Sequence, residues 1–351
     1  MMLIIINTIL ALGCILSAYG GFFSPEYLKA IPAISLLIFP LWIVVMPCLF
    51  VLDLIFSKRA AIIPLLTMVL CVGSFLDFCP LTIFQKPDKD SSTFSLLTYN
   101  TFNMDNYNKT SMPCSLTASA IIDAGCDIAC LQETTAKLRS YNQIAKCQAD
   151  TLNNLYKYQI SSSNGLPIWS RYQVKHILSV NLDDTSAKLD KYIVTLDSIS
   201  LTIYNVHLQS IGLNKNDKLT YLELTRGQGD IKKIKADLLS KLNHAFKNRA
   251  EQAIKIREYL DNDTAENIIV CGDFNDVPTC YAIRTIMGKD FRNAYTEAGR
   301  GPSITYRANR FYFHIDQVLY KGNIIPVSAK VLETGNSDHY PVKVIFEIAK
   351  Q

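Results

Sequence analysis

The first eighty residues of the chain are almost wholly apolar, and this feature constrains most strongly what the chain can fold into. Three apolar runs cover residues 3–19, about 31–56 and about 60–78, with almost no ionisable residues. A transmembrane helix needs roughly 20 consecutive apolar residues. The sequence therefore predicts a membrane anchor over residues 1–78 that contains three transmembrane helices.

The first apolar run has a second interpretation, as a cleaved signal peptide. It lacks the basic start of such a peptide, and further apolar sequence follows it. A membrane span is therefore the favoured interpretation. A transporter pathway is disfavoured as well, because intramembrane ionisable residues would mark such a pathway.

The short loops between the apolar runs predict an orientation, since Lys and Arg prefer the cytoplasmic side. Lys58 and Arg59 lie between the second and third runs, whereas Lys29, offset by Glu26, lies between the first and second. This bias predicts an amino terminus inside the cytoplasm. After three crossings, the domain that follows would lie outside it.

The composition changes abruptly in residues 79–93, which read CPLTIFQKPDKDSST. Such Pro-, Lys-, Asp- and Ser-rich sequence is typical of linkers. We therefore expect a linker over residues 79–93 and a soluble domain over residues 94–351. The net charge of the chain is +4, which is too small to argue for nucleic-acid binding by itself.

The soluble part alternates short apolar runs with helical patterns. Buried-strand patterns occur at residues 94–99, 127–131, 165–172, 191–197, 200–208, 267–271 and 315–320, and helical patterns occur at residues 116–124 and about 221–262. Several strands follow one another with no helix between them. This favours a layered α/β (α+β) sandwich with mixed sheets over a purely alternating parallel fold.

Polar residues stand where these strand patterns stop. They are Asn100, Glu133, His207, Asp273, Asn275, Asp338 and His339. Strand ends at one edge of a sheet converge, so residues far apart in sequence can share one cleft. The sequence has no Gly-rich phosphate loop and no serine nucleophile elbow. The available chemistry is carboxylate, carboxamide and imidazole, and hard oxygen ligands suit magnesium, manganese or calcium.

Each of these motifs also has a structural interpretation when it is taken alone. The segments GDFND and SDHYPV can be polar turns next to strands, because Gly, Asp and Asn favour turns. His207 can be a half-buried strand residue, and Glu133 can belong to a surface turn. Their occurrence together, in this order along the chain, favours a catalytic site.

The same segments carry a resemblance to a known family. They are TYNTFN (98–103), LQET (131–134), GLPIWSRY (165–172), NVHL (205–208), GDFND (272–276), HIDQVLY (314–320) and SDHYP (337–341). In this order they resemble the endonuclease/exonuclease/phosphatase superfamily, and the anchored arrangement resembles a bacterial branch of it. The resemblance implies a four-layer α/β sandwich of two packed mixed β-sheets, with a metal-dependent site at one end.

The resemblance also implies residues that bind metal and substrate. Glu133 would be the principal metal ligand, with Asn100 beside it assisting metal and phosphate and Asp338 completing the metal site. Asn275 would donate a hydrogen bond to the phosphoryl oxygens. Arg171 matches the family's serine–arginine turn, where a structural role and phosphate binding are both open. The metal would be Mg²⁺, with Mn²⁺ or Ca²⁺ as alternatives.

The remaining site residues would carry the acid–base chemistry. Asp273 would orient or deprotonate the attacking water, and His339 would contact the scissile phosphate, with Asp316 fixing its tautomer and charge. His207 matches the histidine of nuclease-like and sphingomyelinase-like members, where abasic-site endonucleases have tyrosine. One departure is His314, which stands where the family often has arginine.

The function implied is a divalent-metal-dependent phosphodiesterase or endonuclease of a bacterial inner membrane, whose catalytic domain is periplasmic. A lipid or sugar-phosphate phosphoesterase, similar to sphingomyelinases or inositol phosphatases, is the alternative. A catalytically inactive protein that binds phosphorylated ligands is a remote one. The expected partner is a phosphoester substrate, either nucleic acid or a phospholipid head group, and no protein partner is predicted.

Overall fold

The computed structural model describes most of the chain. The described residues are 1–28, 30–82, 91–104, 113–134, 146–184, 186–197, 199–212, 231–308, 312–333 and 336–349. Two of the sequence predictions fall partly outside them. These are the linker, in which residues 83–90 are not described, and the long helix, in which residues 221–230 are not described.

Four helices form the amino-terminal part. They are α1 (Met2–Tyr19), α2 (Ala30–Phe56), α3 (Ile62–Leu70) and α4 (Val72–Phe78). Among the described residues, two helical stretches are long and apolar enough to cross a membrane, Met2–Phe22 and Ile38–Phe56. The prediction of three transmembrane helices is wrong in its count. The third apolar run is divided into two short helices at Cys71, whose backbone (φ −96°, ψ 8°) is not helical.

We keep the name anchor, from the sequence prediction, for these four helices. Hydrogen bonds between them define two ends of the anchor. At one end, which we call the Asn7 end, the Asn7 side chain donates to the carbonyl oxygen of Ala60 at 3.2 Å. At the other, the Tyr19 end, the Tyr19 hydroxyl donates to the carbonyl oxygen of Leu70 at 2.5 Å. Since α3 connects these two ends, it runs alongside α1 in the same direction.

The Tyr19 end packs directly on the rest of the protein. A methyl group added at Gly21 would overlap the carbonyl oxygen of Thr279, so only glycine allows this approach. The Arg284 guanidinium lies 4.2 Å from the ring centroid of Phe22 and 3.7 Å from the Asp77 carboxylate. These contacts hold the anchor against the remaining domain.

The remaining domain contains two β-sheets, each of six strands in the described residues. The first has the order β11–β12–β1–β2–β4–β3 and the second the order β5–β6–β7–β8–β10–β9. The strands are β1 (Thr93–Asn100), β2 (Ile128–Gln132), β3 (Tyr158–Ile160), β4 (Ile168–Ser170), β5 (Gln173–Asn181), β6 (Lys188–Thr195), β7 (Ser200–His207), β8 (Asn267–Asp273), β9 (Arg292–Asn293), β10 (Asp316–Lys321), β11 (Ile324–Val331) and β12 (Val342–Ile348). Both sheets are mixed, because β1 with β2 and β7 with β8 are parallel while the other described pairs are antiparallel.

Helices cover the outer faces of the two sheets. Those outside the anchor are α5 (Pro113–Ala124), α6 (Lys146–Leu155), α7 (Ile231–Asp261), α8 (Tyr281–Met287) and α9 (Ala294–Ala298). Helices α5 and α6 pack on the first sheet through residues such as Ile121 and Leu152, and α7 and α8 pack on the second through Ile256 and Ile283. This arrangement confirms the predicted four-layer sandwich.

Alternate side chains of the central strands enter different layers of the core. In β1, Leu96 faces the second sheet whereas Leu97 faces α5, and both are fully buried. The same holds for Ile269 and Val270 in β8. Burial on both faces explains why these strands read as continuous apolar runs rather than as alternating patterns.

Candidate active site

The pairing of strands brings the polar strand ends together. In the second sheet Asp273 lies opposite His207 of the parallel strand β7 and opposite Asp316 of the antiparallel strand β10. In the first sheet Asn100 ends β1 next to the end of β2, which Glu133 follows. Because the sheets pack face to face, these ends meet in one cleft.

Turns with unusual backbone angles direct the side chains at these ends. Glu133, Asn275 and Asn103 have φ values of 50°, 50° and 51°. This left-handed region is uncommon for residues other than glycine, and strain of this kind clusters at functional sites. Gly272 (φ 143°) allows β7 to approach, because a methyl group there would overlap the carbonyl oxygen of Val206.

The Asp273 carboxylate lies at the centre of the site. Its Oδ1 accepts a hydrogen bond from the backbone N–H of Asn275 at 2.8 Å, and its Oδ2 accepts one from Asn100 Nδ2 at 2.9 Å. The Nε2 atoms of His207 and His339 each lie 3.6 Å from the same Oδ2. Burial raises the pKa of Asp273, and the charge of His339 opposes this rise.

Asp316 holds the imidazole of His339 from the other side. The Nδ1 of His339 lies 2.8 Å from Oδ2 of Asp316, and both side chains are buried. Burial would lower the pKa of His339, but the carboxylates of Asp316 and Asp273 outweigh it and raise that pKa to about 10. The imidazole is therefore protonated at neutral pH, with Nδ1 donating to Asp316 and Nε2 directed at Asp273.

Glu133 faces the same centre from the first sheet. Its Oε1 accepts a hydrogen bond from Asn100 Nδ2 at 3.1 Å and lies 3.6 Å from His207 Nε2. Its Oε2 accepts one from Asn103 Nδ2 at 3.5 Å. The Glu133 side chain is 30% exposed, whereas that of Asp273 is 2% exposed. Glu133 is thus the more accessible of these two carboxylates.

The crowding of carboxylates fits a bound divalent cation. Burial raises the pKa of Asp338, and the negative charges of Glu133 and Asp273 raise it further, against the opposing charge of His339. A cation would offset this repulsion. Among the described residues, ligand atoms of Asp273, Asp316 and His339 lie within 4.8 Å of one another, and this group could hold a cation when the imidazole is deprotonated. The oxygen-rich donor set suits a hard cation.

A cavity of about 790 Å³ opens on these groups. Glu133, Asp273, Asn275, Asp338 and His339 line one part of it, and half-buried apolar side chains line another. Lys188 is the one Lys or Arg among its described lining residues. The cavity is therefore acidic at its centre.

The structure does not bring Arg171 to this cavity. Its Nη1 pairs with Asp127 Oδ1 at 3.0 Å, and its Nη2 donates to the carbonyl oxygen of Gly125 at 3.2 Å. These contacts join β4 to the loop before β2. Phosphate binding by Arg171 stays a prediction without support from its position.

The imidazole of His314 is neutral at neutral pH. Burial lowers the pKa of this imidazole to about 4, and its ring lies 4.7 Å from that of Tyr295. Its Nδ1 forms a hydrogen bond with the hydroxyl of Ser303. At this position a hydrogen bond and ring packing thus replace the salt bridge that an arginine would form.

Several residues of the site were not identified from the sequence. Asn103 and Ser337 lie inside the quoted motifs, which was the available signal; the Ser337 hydroxyl donates to the carbonyl oxygen of Asn100 at 2.8 Å and joins the two strand ends. Tyr306, whose ring packs edge-on at 5.0 Å against His339, and Lys188 follow no motif. Only the tertiary fold brings these two to the cavity.

The fold and the site together define a metal-dependent phosphoester hydrolase, a phosphodiesterase or phosphatase. Residues 97–339 match the model described as Endonuclease/Exonuclease/phosphatase family. This match covers more than half of the chain, so the chain belongs to the endonuclease/exonuclease/phosphatase family. Residues 1–78 match a family described as Domain of unknown function (DUF8431). A comparison with curated protein sequences found no match.

Solved structures share the fold. An endonuclease/exonuclease/phosphatase family protein from Bacteroides thetaiotaomicron has a TM-score of 0.53 at 15% identity, covering 74% of this chain and 100% of that chain. An endonuclease/exonuclease/phosphatase from Beutenbergia cavernae has a TM-score of 0.50 at 15% identity, covering 73% of this chain and 72% of that chain. Sphingomyelinase C from Streptomyces griseocarneus has a TM-score of 0.47 at 17% identity, covering 74% and 100%. At these identities the first two similarities concern the fold alone.

Proposed function

We propose that this protein is a divalent-metal-dependent phosphodiesterase of a bacterial inner membrane, whose catalytic domain (residues 94–351) acts outside the cytoplasm. The observation that carries the activity is the arrangement around Asp273 Oδ2. Asn100 Nδ2 lies at 2.9 Å, and the Nε2 atoms of His207 and His339 lie at 3.6 Å. A carboxylate flanked by two imidazoles and an amide can orient a water and exchange protons with it.

The charge of the cavity favours a phosphodiester over a phosphomonoester. At neutral pH a diester carries one negative charge, whereas a monoester carries nearly two. The carboxylates that raise the pKa of Asp338 would repel the monoester more strongly, and Lys188 is the one Lys or Arg among the described lining residues. Electrostatic repulsion between like charges in a partly buried cleft is large enough to discriminate between the diester and the monoester.

The residues of the cleft have distinct roles in this proposal. Asp273 orients and deprotonates the attacking water. Its own position is set by a hydrogen bond from the backbone N–H of Asn275 at 2.8 Å. His339 donates Nε2–H to a phosphoryl or leaving-group oxygen, and Asp316 maintains its charge. His207 and Asn100 also contact the phosphate.

The proposed metal ligands are Glu133, Asn100 and Asp338, with Mg²⁺ as the metal and Mn²⁺ or Ca²⁺ as substitutes. A bound cation would neutralise phosphate charge and stabilise the charge that develops in the transition state. Glu133 is favoured as the principal ligand because it is accessible, whereas His339 is protonated and held by Asp316, which makes its nitrogens poor ligands.

The anchor supports the extracytoplasmic location. Lys58 and Arg59 follow α2 directly, next to the Asn7 end. The catalytic domain packs on the opposite, Tyr19 end. In this proposal α3 and α4 together make the third crossing that returns the chain to this end, although neither helix is long enough to span a membrane alone. If basic residues mark the cytoplasmic side, the catalytic domain belongs to the other side. Fusing alkaline phosphatase to the carboxyl terminus tests this, and an inactive fusion in intact cells would reverse the orientation.

The activity is tested with the full chain in lipid nanodiscs. The substrates are bis-p-nitrophenyl phosphate, p-nitrophenyl phosphate, plasmid DNA, sphingomyelin and phosphatidylinositol phosphates, each with Mg²⁺, Mn²⁺ or Ca²⁺. We expect metal-dependent cleavage of diesters, faster than that of the monoester, and loss of about 10²- to 10⁴-fold in His339→Ala. The matched control is His176→Ala on the exposed face of β5.

The panel also separates the remaining alternatives. The endonuclease function stays a prediction that the plasmid substrate tests, and a lipid or sugar-phosphate phosphoesterase is tested by the other natural substrates. Equal, metal-independent rates in the wild type and His339→Ala would refute the phosphodiesterase proposal. Binding without turnover would support the inactive ligand-binding alternative.

A further inference from the structure

Part of the cavity wall is apolar. Ile211, Tyr306 and Phe313 are half-buried, and they line the same cavity as Asp273 and His339. We call these three residues the apolar shelf. A phosphate and a metal use only the polar part of the cavity, so the activity alone gives the shelf no role.

An apolar cluster joins the shelf to the anchor. Phe78, the last residue of α4, belongs to the same apolar cluster as the three shelf residues. The Phe78 ring also lies 5.2 Å from that of Phe39 in α2, in the cluster that forms the interior of the anchor. Apolar contact is thus continuous from the catalytic cavity to a helix that is apolar enough to cross a membrane.

Aromatic residues at the Tyr19 end indicate where the membrane surface lies. Phe22, Phe23 and Tyr27 are 59%, 48% and 81% exposed. Tyrosine is enriched where a transmembrane helix meets the membrane surface, and this end holds both Tyr27 and Tyr19, which is 38% exposed. The same end holds the catalytic domain through Gly21 and Thr279. The cavity is therefore fixed close to the bilayer surface.

We propose that the substrate is a phosphodiester carried on a membrane lipid, whose apolar chain lies on the shelf while its phosphate reaches Asp273 and His339. This inference rests on the proposed phosphodiesterase function and names its substrate class. A nucleic acid fits less well, because its binding depends on several Lys or Arg contacts to phosphates. Lys188 alone supplies such a contact among the described lining residues.

The test uses the full chain in lipid nanodiscs and alkyl p-nitrophenyl phosphate diesters with methyl, butyl and octyl chains, in which the leaving group is constant. Burying one methylene is worth roughly a fourfold increase in binding, so kcat/KM should rise steeply with chain length. Longer chains also partition into the bilayer. That contribution is the same in every variant, so the decisive quantity is the octyl-to-methyl ratio of kcat/KM.

We expect Ile211→Ser and Phe313→Ser to lower that ratio by about tenfold, because each removes apolar surface from the shelf. The control Ile325→Ser removes a side chain that is 43% exposed on β11 and lines no part of the cavity. It should keep the wild-type ratio. Unchanged ratios in both shelf variants would overturn the inference. If none of the diesters is hydrolysed, not even the methyl ester, the proposed phosphodiesterase function is overturned and the inference with it.

Discussion

His339 Nδ1 and Asp316 Oδ2 lie 2.8 Å apart, and the two side chains are 5% and 0% exposed. This contact keeps a positive charge on an imidazole that burial alone would neutralise. It also fixes the ring so that Nε2 faces Asp273 at 3.6 Å. We therefore propose that Asp316 is a positioning residue, which acts on the substrate through His339.

Replacing Asp316 by Asn tests this positioning role. A neutral amide no longer stabilises the imidazolium, so the pKa of His339 falls from about 10. An activity that needs protonated His339 is present below that pKa and is lost as the pH rises through it. The alkaline limb of the pH–kcat/KM profile should therefore move toward neutral pH, with a loss of roughly 10²-fold at pH 8. A lower rate with the alkaline limb still at its wild-type pH would indicate a purely structural role for Asp316.

The Glu133→Gln substitution tests the principal metal ligand. An amide is a weaker ligand for a hard cation than a carboxylate, so the Mg²⁺ titration of activity should shift by roughly 10- to 100-fold toward higher concentration. Glu258→Gln, on the exposed face of α7, is the matched control. Direct Mn²⁺ binding, measured by electron paramagnetic resonance, should weaken in parallel. If both titrations stay at their wild-type positions, another group holds the metal.

Much of the site could be predicted from the sequence because its residues follow strands directly. Asn100, His207 and Asp273 each end a buried run, and the sheet fixes their neighbours once those strands pair. Tyr306 follows no strand, and an isolated β-bridge and a ring contact place it against His339. Such a contact depends on the tertiary fold and leaves no local pattern.

The division of the third apolar run into two helices also leaves no clear pattern in the sequence. Residues 60–78 are as apolar as a membrane span, and hydropathy does not register the break at Cys71. The break follows from packing, since Ser74 in α4 donates to the carbonyl oxygen of Ala18 at 2.9 Å. After the break, α4 carries Asp77, whose carboxylate lies 3.7 Å from the Arg284 guanidinium of the catalytic domain.

Arg249 and Asp276 support the loop that carries Asn275. Arg249 is fully buried, and its Nε lies 3.2 Å from Asp276 Oδ2. Arg249→Met would leave a buried carboxylate without its partner, which costs about 3–5 kcal/mol. The midpoint of thermal unfolding should fall accordingly. Adding Asp276→Asn should recover part of the loss, whereas additive losses in the double variant would show that the two side chains are not coupled.

The contact between Gly21 and Thr279 predicts how the anchor can be detached. A methyl group at Gly21 would overlap the Thr279 carbonyl oxygen, so Gly21→Ala must move the Tyr19 end away from the catalytic domain. At Gly73, by contrast, a methyl group meets no atom within 4 Å, so Gly73→Ala is the matched control. Alanine there should stabilise α4 by about 0.5–1 kcal/mol.

The separation can be measured by hydrogen exchange in nanodiscs. The first turn of α8 follows Thr279, and the Arg284 amide donates to the Cys280 carbonyl oxygen at 3.1 Å. In Gly21→Ala we expect roughly tenfold faster hydrogen exchange of the backbone amides in this turn. A free energy of local opening that is lower by about 1.4 kcal/mol corresponds to a tenfold faster exchange rate. Gly73→Ala should exchange like the wild type. Equal protection in Gly21→Ala would mean that the anchor and the catalytic domain are held together by other contacts, such as that between Arg284 and Asp77.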